Sequence, residues 1–153
     1  MIPKPSVIYI KDFDVTQGDW RVDRQGKELE EFKVVQKTKL TEFLMERLAE
    51  IAPVKQYDEA NKPTEGLMIT GHFTVMEQGS RALRMFIGSG TGATKLNTYV
   101  KVYDLSKSTE TPIATFDTGN GSGMAQGLGS HGLHSDLVAT SREIREELRL
   151  RIK

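Results

Sequence analysis

The chain has no cysteine, which removes disulfides, thiolate metal sites and cysteine nucleophiles together. That absence leaves the compartment open, because an oxidising environment permits disulfides without demanding them. Neither sign of charge is in excess: 21 Lys and Arg against 21 Asp and Glu give a net charge of zero. No global positive field therefore advertises nucleic-acid binding. Long apolar runs are missing too, and the opening MIPKPSV lacks the apolar core of a signal peptide. Aromatic residues are sparse, with one tryptophan in the chain. At 153 residues the length suits a single domain over 1–153 with a core of its own.

Glycine, by contrast, is plentiful and concentrated. The stretch GSRALRMFIGSGTGATKLNT (79–98) runs an apolar segment into Gly88, Gly90 and Gly92, flanked by Arg81, Arg84 and Lys95. Such spacing asks for backbone freedom that only glycine supplies cheaply. Gly88 to Ala93 fits the loose dinucleotide pattern G-x-G-x-x-A. That pattern requires a strand leading in and a helix leading out, whereas here a helical lead-in meets an alternating, strand-like exit. The Gly-Lys-Ser/Thr ending of a phosphate-binding loop is also absent. A tight connection that lets two backbones approach is the simpler reading.

Taken in order, Val7 to Ile10 reads as a first, central strand. Residues 16–27 are polar and glycine-marked, hence a loop, with Trp20 expected to pack down as a lid on a helix. From about Glu28 to Ala52, Phe32, Val35, Leu40, Phe43, Leu44, Leu48 and Ile51 form a core-facing helical stripe, and Pro53 stops it. Val54 to Tyr57 allows a short strand. Leu67 to Met76 alternates strongly, with Leu67, Ile69, Phe73 and Val75 expected on one face and Met68, Thr70, His72, Thr74 and Met76 on the other. Leu96, Thr98, Val100 and Val102 alternate next, and Pro112 to Asp117 returns as the hairpin partner. Residues 119–133 carry six glycines and read as a loop. A final helix starts near His134 with Leu137, Val138, Ile144, Leu148 and Ile152 inward. The fold class expected is α+β: a single-layer mixed or antiparallel sheet of about five strands, with two long helices on one face.

Few residues are arranged for chemistry. His131, His134 and Asp136 make an H-x-x-H-x-D cluster, but on a glycine-rich loop without a scaffold to orient metal ligands. Ser122 sits in Gly121-Ser122-Gly123, short of the G-x-S-x-G nucleophile motif. His72, between two threonines, reads as a surface residue. No catalytic, cofactor-binding or metal residue is assigned, and no cofactor is expected. The candidate contact for a partner or an anion is Arg81, Arg84, Gly88, Gly90, Gly92 and Lys95, where cationic side chains adjoin exposed backbone N–H groups.

Three stretches carry a family resemblance: Gly79-Ser80-Arg81-Ala82-Leu83-Arg84, Gly88 to Gly92, and the strand ending Val102-Tyr103-Asp104. Tyr9-Ile10-Lys11-Asp12-Phe13 and the glycine-rich stretch before a charged helix agree with them. On these residues the chain resembles domain-of-unknown-function family 4410, small bacterial envelope proteins that are often lipoproteins. The strand–helix opening is more loosely similar to the periplasmic α/β domains of TolB and of the curli secretion lipoprotein. The resemblance implies an envelope address, in the periplasm or anchored to the outer membrane. It also implies a non-enzymatic binding or assembly role with a protein partner and no nucleic acid. The family's leader and lipid-bearing cysteine are missing here, so membrane association would come only through such an anchor, and a cytoplasmic address stays open. Two other readings stand beside this one. The first is a small-molecule or nucleotide-binding domain that uses the glycine-rich loops. The second is self-association into a homo-oligomer through an exposed strand edge.

Overall fold

One strand, β4 (Leu67–Glu77), gathers the sheet. In the computed structural model, which describes residues 1–78, 94–121 and 132–153, β4 pairs with three other strands. Along one side run β1 (Ile8–Ile10) and then β2 (Asp19–Arg21), both parallel to it. Antiparallel along the other side lies β5 (Lys95–Asp104), which in turn pairs antiparallel with β6 (Ala114–Gly121). The short β3 (Val54–Gln56) closes the far edge beside β1, giving the order β3-β1-β4-β5-β6 with β2 on β4. Two described helices, α1 (Gly26–Leu48) and α2 (Leu133–Arg151), pack on each other and on one face of this sheet. The architecture is a mixed six-stranded α+β sheet.

Its core lies between that face and the helices. Ile8, Ile10, Ile69, Phe73, Val100 and Val102 from the strands meet Leu40, Leu44, Leu48, Leu137, Ile144 and Leu148 from the helices, all fully buried. Each such side chain contributes on the order of 1.5–3 kcal/mol of transfer free energy. β5 follows its expected alternation, with Leu96, Thr98, Val100 and Val102 inward. The β5–β6 hairpin also forms as expected, but β6 runs on into the glycine-rich stretch as far as Gly121.

Three expectations are corrected. First, residues 19–21 are a strand, β2, inside a stretch read as loop. The Asp14 carboxylate accepts from the Thr16 N–H (2.8 Å), the Thr16 hydroxyl (2.7 Å) and Gln17 Nε2 (3.1 Å). This local turn re-aims the chain along β4. Gly18, at φ +91°, then lies so close that an added Cβ would sit 2.3 Å from the Phe73 carbonyl oxygen. Trp20 does pack down as a lid: it stacks on Phe73 (5.4 Å) and meets Phe32 of α1 edge-on (6.3 Å).

Second, the face assignment of β4 holds only to Phe73. The register slips between Phe73 and Val75, so Thr74 is an extra residue and every later side chain changes face. Met76 is therefore in the core and Val75 is not. Third, on α1 the buried line is Gln36, Leu40, Thr41, Leu44 and Leu48, while Val35 is 45% exposed. Thr41 is tolerated there because its hydroxyl donates to Asp12 Oδ1 at 2.6 Å. Among the described residues the buried Gln36 Oε1 has no hydrogen-bond partner.

Among the described residues no helix is long and apolar enough to cross a membrane.

Candidate functional site

Both glycine-rich segments leave the sheet at the same end. Register puts Arg21, Glu77, Lys95 and Gly121 in one row across β2, β4, β5 and β6. Residues 79–93 follow β4 and precede β5, and residues 122–131 follow β6, so neighbouring strands carry their roots. The two roots touch: a Cβ on Gly121 would lie 2.6 Å from the Thr94 carbonyl oxygen. Three of its four residues are charged, and all but the half-buried Glu77 are exposed. Arg21 pairs with Asp19 at 2.7 Å and reaches Glu77 at 3.8 Å. Arg24 donates to Gln78 Oε1 at 2.5 Å while its guanidinium covers the Phe32 ring at 4.2 Å.

Of the sequence-derived contact residues, Lys95 falls in this row, exposed at the start of β5. Arg81, Arg84, Gly88, Gly90 and Gly92 lie outside the described residues, as do His131 and Ser122. The other members of the histidine cluster separate. His134 is exposed and meets the Phe43 ring edge-on at 5.4 Å, whereas Asp136 is buried in the first turn of α2. Positions two apart on a helix point to different sides. Among the described residues no three His, Asp or Glu side chains come together as a metal site.

Beside the row, α2 is tied to the last turn of β6 by polar contacts. Asn120 Nδ2 donates to Thr140 Oγ1 and to Glu143 Oε1, each at 3.1 Å. Burial raises the Glu143 pKa above the ordinary carboxylate value. Asn120 and the Gly119 N–H, both donating to the carboxylate, oppose that shift, and Glu147 adds to it. Next to this junction the hydroxyls of Thr98 and Thr118 meet at 2.5 Å, both residues buried. A crevice of about 500 Å³ opens between Asn120, Gly121, His134, Asp136 and Arg142. Sequence reasoning missed this junction. Asn120 lies in a run read as loop, and Glu143 lies off the helix positions expected to face inward.

The sheet's helix-free face has a character of its own. All four tyrosines of the chain, Tyr9, Tyr57, Tyr99 and Tyr103, are on it. Tyr9 and Tyr57 gather with Met68, Tyr103 and Leu105 in a small apolar cluster, and Tyr99 leans on His72 at 5.4 Å. His72 is thus on the more polar face, as expected, and half-buried.

Among the described residues these polar strand ends carry no arrangement for a particular reaction. Comparison with known proteins gives the chain's lineage. A family model described as "Domain of unknown function (DUF4410)" matches residues 8–127. The chain belongs to the DUF4410 family. No protein of curated function matches it in sequence. Solved structures share the fold of this DUF4410 domain at low identity. The PelC dodecamer from Paraburkholderia phytofirmans superposes with a TM-score of 0.52 at 10% identity, over 94% of this chain and 86% of that one. A Helicobacter pylori protein described as a neuraminyllactose-binding hemagglutinin homolog gives 0.50 at 14% identity, over 95% and 84%. A hypothetical protein from Chlamydia trachomatis gives 0.50 at 9%, over 96% and 95%. At these identities the likeness is one of fold.

Proposed function

We propose that this DUF4410 domain is a non-enzymatic building block of the bacterial envelope that works by assembling with protein, copies of itself included. The observation that carries the reading is the shared fold with PelC, a protein whose structure is a dodecamer. The family membership supports the envelope address, in the periplasm or at the outer membrane. The contact surface proposed is the end of the sheet where the glycine-rich segments leave, with Arg81, Arg84, Gly88, Gly90, Gly92 and Lys95. Cationic side chains beside glycine backbone suit close approach of a partner's carbonyls or carboxylates.

Two measurements test this. Light scattering and native mass spectrometry across the micromolar range should find an oligomer; a monomer throughout would remove self-assembly. Cell fractionation with an intact mass, after expression from the full reading frame, should place the protein with the envelope. Recovery of an unprocessed chain in the cytosol would remove the address. Replacing Arg81 and Arg84 together by alanine should weaken association with a partner protein, and binding left unchanged to every partner would discard that surface.

A further inference from the structure

The two edges of the sheet differ in kind. At one edge β3 is three residues long, follows Pro53 and carries Lys55. Shortness, proline and lysine are the devices by which proteins keep an edge from pairing. At the other edge β6 has eight residues with no proline, lysine or arginine among them, and among the described residues it pairs only with β5. Its outward backbone groups can be assigned. The Leu105 N–H donates to the Gly66 carbonyl, so the odd residues of β5 bond towards β4 and the even ones towards β6. With Thr98 opposite Thr118 and Val100 opposite Phe116, the even residues of β6 bond inward. Thr115, Asp117, Gly119 and Gly121 therefore turn their N–H and C=O groups outward. The Gly119 N–H agrees with this assignment, because it points to Glu143 rather than to β5.

We propose that this edge takes the β6 strand of a second copy, antiparallel and centred on Thr118. The proposal rests on the assembly reading and names the surface between copies, apart from the one proposed for other proteins. In that register Asp117 pairs with Gly119 of the other copy, and Thr115 with Gly121, so all four outward residues are used. Shifting the centre to Asp117 would set two like charges face to face, which sheets disfavour. The centred register also matches charge. Asp117 is exposed on the helix-free face, and Lys95, exposed on the same face, lies directly across from Gly121 on β5. The glycines at 119 and 121 leave the surface between them low, so each Lys95 can extend over it towards Asp117 of the other copy. By symmetry this happens twice. Pairing replaces the Glu143 carboxylate at the Gly119 N–H by the partner's Asp117 carbonyl.

The test is a charge swap read by sedimentation and native mass spectrometry, with far-ultraviolet dichroism confirming the fold. Asp117→Lys and Lys95→Asp alone should each raise the dissociation constant about tenfold or more, and the double variant should restore it to within about threefold. A cross-link checks the register independently. The chain has no cysteine, so Asp117→Cys combined with Gly119→Cys should oxidise to a covalent dimer, since directly opposed strand residues stand about 5.5 Å apart at Cα, within disulfide range. If the wild type assembles but folded single variants assemble equally well and no covalent dimer forms, this interface is overturned while the assembly reading survives. If the wild type is monomeric throughout, both are.

Discussion

Adding one methyl group at Gly71 should break the sheet where its two longest strands meet. Gly71 lies mid-β4, opposite Val100. A Cβ built there falls 2.0 Å from the Tyr99 carbonyl oxygen and 3.0 Å from Phe13 Cε2. An acceptable carbon–oxygen contact is about 3.3 Å, so the strands would have to part by roughly 1.3 Å. Neither obstacle is free to give: one is backbone in the ladder, the other a ring that is 1% exposed. Overpacking a core costs about 1–3 kcal/mol, and loosening a ladder bond adds about 1 kcal/mol. Gly71→Ala should therefore lose about 3 kcal/mol. With a urea slope of about 2 kcal/mol per molar, the midpoint drops by about 1.5 M. Trp20 fluorescence is the natural assay, because its ring stacks on Phe73, two residues along the same strand. Gly119→Ala is the control: its Cβ would meet only the flexible Asn97 Oδ1, at 3.2 Å, and should change stability by less than about 0.5 kcal/mol, as surface substitutions do. A Gly71→Ala midpoint within error of wild type would refute the reasoning.

Other outcomes follow from the polar junction and the aromatic lid. Thr98→Val or Thr118→Val alone leaves a buried hydroxyl without its partner and should cost about 1–2 kcal/mol, while the double variant should cost no more than the worse single one; additive losses in urea unfolding would show that the hydroxyls do not depend on each other. Glu143 is held by burial at a raised pKa, so the folded state binds its proton more tightly than the unfolded chain, and its contribution to stability falls as pH rises through that window. Glu143→Gln should thus be at least as stable as wild type at pH 7, with the difference shrinking towards pH 4.5, and an advantage that grows on acidification would contradict the sign. Phe73→Ala removes a fully buried ring from between Phe13 and Trp20 and should cost about 3–5 kcal/mol with a red shift of Trp20 emission; an unshifted spectrum would mean that Trp20 does not rely on that stack.

What the sequence disclosed and what it hid divide along the range of the forces involved. β5 was legible because its alternation is settled residue by residue, and α2 because leucines and isoleucine recur at helical spacing. β4 was legible only as far as Phe73. The bulge at Thr74 has no local signal; beside it Gly18, more than fifty positions earlier, comes down on the Phe73 carbonyl. β2 was hidden for a related reason: three residues with only Trp20 to mark them become a strand because β4 offers an edge. On α1, Val35 and Gln36 exchanged places because burial follows the line that meets the sheet, and Thr41 fits that line once Asp12 is there to accept its hydroxyl. The candidate site shows the same division at larger scale. Glycine-rich runs on either side of β5 and β6 are plain in the sequence, but only strand register brings Thr94 against Gly121 and sets Lys95 in a row with Arg21 and Glu77. The two sheet edges depend on both kinds of information. Their composition, Pro53 and Lys55 against an eight-residue run without either, can be read directly. Which backbone groups of β6 face outward follows only from its pairing with β5, and that pairing defines the edge to which we assign the second copy.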